Sequence, residues 1–151
     1  MHATDLQSNF PVVARDTSAV AAARLIAEER LAGLVVANAK GNPVAVVSAV
    51  DILGLLVPNY MLDDLNLAGV VDEQGAEDMW SQAGDHTIGE LLDDDAVRLY
   101  DLLMVDADAT ILELAAQMAG AHAQVALIRG SDPAQFVRLP DVLDAILKYC
   151  A

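Results

Sequence analysis

Residues 16–38, DTSAVAAARLIAEERLAGLVVAN, and residues 108–130, DATILELAAQMAGAHAQVALIRG, are two copies of one pattern. Asp16 aligns with Asp108, Ile26 with Met118 and Val36 with Ile128 in one constant register. Further on, Ser48 aligns with Arg138 and Asp51 with Asp141 in a register two residues shorter, so one turn of the second copy is tighter. A repeat constrains a fold more than any local propensity, because each copy must form the same supersecondary unit.

The plan of the unit is legible. Asp16 or Thr17 can cap a helix whose Val20, Ala23, Ile26 and Ala27 recur at helical spacing. The β-branched run LVVA reads as a strand, the turn KGNP leads to a second strand, VAVV, and a helix follows over residues 50–57 until Pro58 stops it. The second copy predicts a helix from about Ala109, strands VALIR and QFVR, and a last helix opened by Pro140, a residue suited to a first helical turn. Between the copies, Tyr60, Leu62, Leu65, Leu67, Val70 and Val71 suggest one connector helix and Trp80 a second. TIGELL from Thr87 starts a third element that leads into a strand near residues 102–105. This middle piece is too apolar for a flexible linker and is expected to pack on the rest.

Composition narrows the function classes. A chain of 151 residues suits one compact domain or two small intertwined halves. Its hydrophobic fraction of 55% exceeds the usual range of about 45–50%, so helix-face burial between two copies of the chain is expected. A net charge of −15, with eight scattered basic residues, argues against nucleic acid and against anionic membrane surfaces. PVAVVSAVDILGLLVP, residues 43–58, is the most apolar stretch, yet it is shorter than the about 20 residues a membrane span needs and carries Asp51 near its middle. The start, MHATDLQSNF, has no secretory signal pattern and Cys150 is the single cysteine, so a cytoplasmic protein is expected.

Metal and catalytic motifs are weak. His122 has no second His or Cys at ligand spacing and suits a surface or cap role. The acidic runs LDD (62–64) and DDD (93–95) lack the spaced ligands and bend glycine of a calcium loop and read as solvated faces. No Ser-His-Asp set, P-loop or G-x-G-x-x-G is present, so no residue is nominated for catalysis and metal ligands are none.

A helix, two strands and a helix, present twice and ending in a hydroxyl-x-x-acid motif, resembles a tandem pair of cystathionine-β-synthase (CBS) domains, over residues 10–147. VPNYMLDD, VVDE and HTIGELL are similar to a subgroup of stand-alone bacterial, actinobacterial-type CBS pairs. The resemblance implies an α/β (α+β) fold, two CBS motifs packed as a pseudo-two-fold Bateman-type module with small sheets flanked by helices. On this basis residues 1–57 form the first motif, 58–92 a helical connector and 93–151 the second motif.

The resemblance also implies a function: a non-enzymatic, regulatory homodimer that binds AMP, ADP, ATP or S-adenosylmethionine in clefts between the motifs and modulates a partner, a transporter or an enzyme. A ligand-independent dimerisation module of the same fold is the alternative. The implied binding residues are Ser48, Asp51, Arg138 and Asp141, with the hydroxyl toward phosphate or ribose and the carboxylates accepting from ribose hydroxyls. Read from the residues alone, Ser48-x-x-Asp51 is also close to a helix capping box, whose side chains satisfy free backbone N–H groups. Ala45 and Gln135 stand where the family usually has a glycine, and Ala32, Gly33, Ala123 and Gln124 stand where polyphosphate binders often place His or Arg. Arg138 has two fates: its guanidinium enters the second cleft, or it pairs with Asp141 and fills the ribose space. The stiff turn at Pro140 favours self-pairing, which would leave Ser48 and Asp51 as the working cleft.

Overall fold

The computed structural model describes residues 1–82, 86–93 and 100–150. The chain divides into two compact units, Pro11–Tyr100 on one side and Met1–Phe10 with Asp101–Ala151 on the other.

The unit formed by Pro11–Tyr100 opens with β1 (Val12–Ala14), α1 (Ala19–Glu29), β2 (Gly33–Ala37), β3 (Pro43–Ser48) and α2 (Ala49–Leu55). Residues Asp16 and Thr17, expected to cap α1, lie instead in a turn in which the Thr17 amide donates to the Ala14 carbonyl at 3.0 Å. That turn delays the helix by a residue, and Ser18 caps it, its Oγ accepting from the Ala21 amide at 3.1 Å. Strand β2 runs parallel to β1 and antiparallel to β3, pairing Leu34 with Val47 and Gly33 with Ser48. Leu34, Val35, Val36 and Val47 are buried with Ile52 of α2, so the apolar strand run supplies the core of this unit. Gly41 turns the chain between β2 and β3 with φ 83°, a left-handed conformation that glycine adopts without penalty.

The single connector helix expected over residues 60–71 is broken. Helix α3 (Asn59–Asp63) stops at Asp64, whose φ of −139° is extended and whose carboxylate accepts from the Asn66 amide at 3.1 Å to start a 3-10 helix, Leu65–Val70. Asp64 thus acts as a stop and a new cap at once. Helix α4 (Glu73–Trp80) is capped by Asp72, and α5 (Ile88–Leu92) follows, with Ile88 and Leu91 buried. The middle piece packs less than its composition suggests: Met61 is buried, but Leu62, Leu65, Leu67, Val70 and Trp80 are exposed. β4 (Tyr100–Asp101) completes a sheet of order β1-β2-β3-β4.

The other unit repeats the plan with β5 (Leu103–Val105), α6 (Ile111–Ala121), β6 (Val125–Ile128), β7 (Phe136–Arg138) and α7 (Leu139–Leu147). Again a parallel pair, β5 with β6, is followed by an antiparallel one, β6 with β7. Thr110 caps α6 where Ser18 caps α1, accepting from the Glu113 amide at 3.2 Å. The two helices end alike: Arg30 and His122, at equivalent repeat positions, both take the left-handed conformation, with φ 54° and 52°. His122 is therefore a helix C-cap. Val105, Leu114, Met118, Ala126, Ile128, Val137 and Val142 form one buried cluster.

The N-terminal ten residues belong to this unit. Ala3, wholly buried, donates its amide to the Ala109 carbonyl at 2.9 Å, and Ser8 exchanges backbone hydrogen bonds with Phe136 at 2.8 and 2.9 Å. The result is an α/β fold of small sheets flanked by helices.

Candidate functional site

The hydroxyl and carboxylate of the first motif lie at the β3–α2 junction. Strand β3 ends at Ser48 in extended conformation, and the helix begins at the next residue, so Ser48 is the N-cap. Its Oγ accepts from the Asp51 amide at 3.1 Å and donates to the Asp51 carboxylate at 2.8 Å. The pair is half-buried and closed on itself. Capping is thus a role these residues fill, and any ligand that uses Asp51 must compete with the Ser48 hydroxyl for one carboxylate oxygen.

Gly33, beside this junction, is demanded by packing. A Cβ there would lie 2.4 Å from the Val47 carbonyl oxygen, so no side chain, cationic or otherwise, fits where β2 crosses Ser48.

The second motif is arranged differently. Arg138 occupies the N-cap position of α7 but caps nothing, because it has no acceptor oxygen and Pro140 in the first turn removes a donor. The expected pairing of Arg138 with Asp141 does not form. The guanidinium carbon lies 5.5 Å from the centroid of the Phe10 ring, and Phe10 packs on Phe136 at 5.9 Å between centroids. An aromatic face on the N-terminal segment therefore captures the cation that sequence proximity assigned to the carboxylate. The expected plug of the second site is absent. The motif that is closed on itself is Ser48–Asp51.

Asp141 is half-buried, and among the described residues its carboxylate takes part in no side-chain hydrogen bond or ion pair. It lines an open depression of about 260 Å³ together with Asp5, Gln7, Ser8, Asp144 and Lys148. Asp5 is already engaged, accepting from the His2 amide at 2.8 Å. Ser8 is not: its Oγ is buried with no hydrogen-bond partner among the described residues. A free carboxylate and the Lys148 ammonium around one depression can accept from and donate to a polyhydroxylated ligand, while the Ser8 hydroxyl is buried at its wall. Nothing in the sequence ties Ser8 to Asp141; their juxtaposition depends on the N-terminal segment joining β7.

Two other cations are held in ion pairs. Arg15 pairs with Asp93 at 2.9 Å and Arg129 with Asp106, all four side chains more than half exposed. Asp93 opens the DDD run, whose Asp94 and Asp95 lie outside the described residues. Within LDD, Asp64 is the cap already noted. Among the described residues no group of three or more His, Cys, Asp or Glu could hold a metal ion, and no helix is long and apolar enough to cross a membrane.

Known proteins share this architecture. A family model described as CBS domain matches residues 3–58. No curated protein matches the chain. Among solved structures, a CBS domain-containing protein of unknown function from Kribbella flavida is 30% identical, with a TM-score of 0.80 over 97% of this chain and 99% of that one. CBSX2 from Arabidopsis thaliana, a CBS-pair protein, is 19% identical with a TM-score of 0.65, covering 97% of this chain and 94% of that one. A structure of CBSX2 in complex with AMP is 20% identical with a TM-score of 0.62, covering 97% of this chain and 96% of that one. At such identities these last two show a shared fold.

Proposed function

The chain belongs to the CBS-domain family, and we propose that it is a regulatory module that senses an adenosyl compound and passes its occupancy to a partner protein. AMP bound to CBSX2 supports an adenosyl ligand for this chain as well. The observation that carries the reading is the Asp141 depression. Ribose presents two neighbouring hydroxyls that donate to a carboxylate, and Asp141 has both oxygens available for them among the described residues. The phosphate-binding charge is modest: Lys148 lines the depression, and Arg138 can reach a phosphate only by leaving Phe10. A monophosphate or the cationic S-adenosylmethionine suits such a site better than a triphosphate. Ser48 and Asp51 form a second, weaker site, because their mutual hydrogen bond must open first. The protein acts as a cytoplasmic homodimer without catalysis of its own, its partner being a transporter or an enzyme.

Ligand binding to the folded state alone raises stability by about 2.7 kcal/mol at 100 times the dissociation constant. Chemical denaturation of the purified chain with AMP, ADP, ATP and S-adenosylmethionine tests the proposal. Stabilisation that Asp141→Ala removes supports it. If none of the four stabilises the chain, the second reading stands: a ligand-independent dimerisation and docking module, which the self-closed Ser48–Asp51 cap already favours at one motif.

A further inference from the structure

Helix α3 and the 3-10 turn after it pack on each other and turn most of their apolar side chains outward. Tyr60, Leu62, Leu65, Leu67 and Val70 are exposed, Leu65 by 74% and Val70 by 78%. These residues carry no part of the hydroxyl-x-x-acid motifs. Exposed apolar surface with a polar rim marks an interaction site in soluble proteins.

The segment around these residues carries charge of one sign. No Lys or Arg occurs between Lys40 and Arg98. Asp63, Asp64, Asp72, Glu73, Glu77 and Asp78 are all exposed. Asp64 and Asp72 serve as helix caps, and Asp78 accepts from Gln74 at 3.2 Å. Asp63, Glu73 and Glu77 have no side-chain partner among the described residues. Their carboxylates face solvent.

We propose that residues 59–80 form a docking surface for a basic amphipathic helix of another protein. Its apolar stripe covers Leu65, Leu67 and Val70, and its Lys and Arg side chains meet the acidic rim. A second copy of the chain would set this rim against itself, and like charges brought together cost binding energy. Nucleic acid and anionic lipid are repelled for the same reason. The surface consists of helical turns with no strand edge among them, so an extended peptide finds no ladder to join. The proposal gives the regulated partner a chemistry and rests on the regulatory reading for its biological use, while the docking itself requires no nucleotide.

The test uses the full chain and a synthetic peptide of about five helical turns with leucines on one face and lysines elsewhere. A peptide of the same composition with scattered leucines is the control. Trp80, the chain's one tryptophan, reports binding by fluorescence, both peptides lacking tryptophan. The patterned peptide should bind about tenfold or more tighter than the control, and added salt should weaken it. Leu65→Ser combined with Val70→Ser should weaken it about tenfold without shifting the melting temperature, since both side chains are exposed. Asp63→Asn with Glu73→Gln and Glu77→Gln should flatten the salt dependence. Equal binding of the two peptides, unchanged binding by the serine variant, or a dimer that the serine variant turns into monomers would each overturn the proposal. Nucleotide binding is measured separately by denaturation, so a chain that takes the peptide and no nucleotide retains this surface and refutes the sensing reading.

Discussion

The Arg138 guanidinium stands over the Phe10 ring at 5.5 Å, joining the N-terminal segment to the last strand of its unit. Phe136 backs the same ring at 5.9 Å, and Gln135 donates to the Asn9 side chain at 3.0 Å beside it. The segment is therefore held by a cation, an aromatic pair and an amide as well as by its backbone bonds to Phe136.

A double-mutant cycle should resolve that contact. Phe10→Leu and Arg138→Leu are each expected to destabilise the chain, with a coupling energy of about 0.5–1 kcal/mol for a partly exposed cation–π pair. Urea denaturation of the two single variants and the double variant measures it. Strict additivity would show that the stacking carries no energy.

Ligand stabilisation should be unequal between the motifs. Asp141→Ala is expected to remove most of the stabilisation by AMP, because it deletes the carboxylate that is available among the described residues. Asp51→Ala is expected to remove less, since Ser48 already occupies one oxygen of that carboxylate. Isothermal calorimetry on both variants decides the order. The reverse order would return the main site to Ser48 and Asp51.

What could be read from the residues follows from where each determinant lies. The repeat exposed the doubled plan because the apolar periodicity of α1 and α6, and the β-branched runs of β2 and β6, are local and strong. Caps were read to within two residues; the turn that moved the cap to Ser18 is a backbone hydrogen bond that composition does not encode. The connector misled because Leu65, Leu67 and Val70 look like a buried stripe, whereas Asp64 ends the helix and leaves them in solvent. Nothing in MHATDLQSNF announces that Ala3 will be wholly buried against the second copy or that Ser8 will line the Asp141 depression. Those contacts join residues more than 100 positions apart. For the same reason sequence proximity favours Asp141, three residues away, over Phe10, the neighbour that Arg138 has in the fold.

The caps should cost comparable amounts in the two units. Ser18→Ala, Ser48→Ala and Thr110→Ala each remove an oxygen that accepts a backbone N–H, and each is expected to destabilise by about 1 kcal/mol. Asp51→Ala leaves the Ser48 cap in place and should cost less than Ser48→Ala. Denaturant midpoints for the four variants check the ranking. An Asp51→Ala loss larger than that of Ser48→Ala would show that the carboxylate, and not the hydroxyl, secures the start of α2.

Two glycines should respond to alanine with opposite signs. At Gly33 a Cβ would stand 2.4 Å from the Val47 carbonyl oxygen and 3.4 Å from the Ser48 Cα. The nearer atom is backbone and is fixed by the β2–β3 ladder, in which Leu34 pairs with Val47. It cannot yield as a flexible side chain would, so the strands must separate. Gly33→Ala is expected to cost about 1–3 kcal/mol or more, the range for forced overpacking. It should also weaken any ligand contact at Asp51, because Gly33 pairs with Ser48 and a displaced Ser48 no longer orients that carboxylate. Gly120 lies near the end of α6, and a Cβ there meets nothing within 4 Å. Its φ is not in the left-handed range, so alanine fits the helix and narrows the unfolded ensemble. Gly120→Ala is expected to stabilise by about 0.5–1 kcal/mol. Paired urea titrations, with the slope as a check on two-state behaviour, measure both. A neutral Gly33→Ala would mean that the β2–β3 crossing is looser than its 2.4 Å approach implies, and the argument that glycine is required beside Ser48 would fall with it.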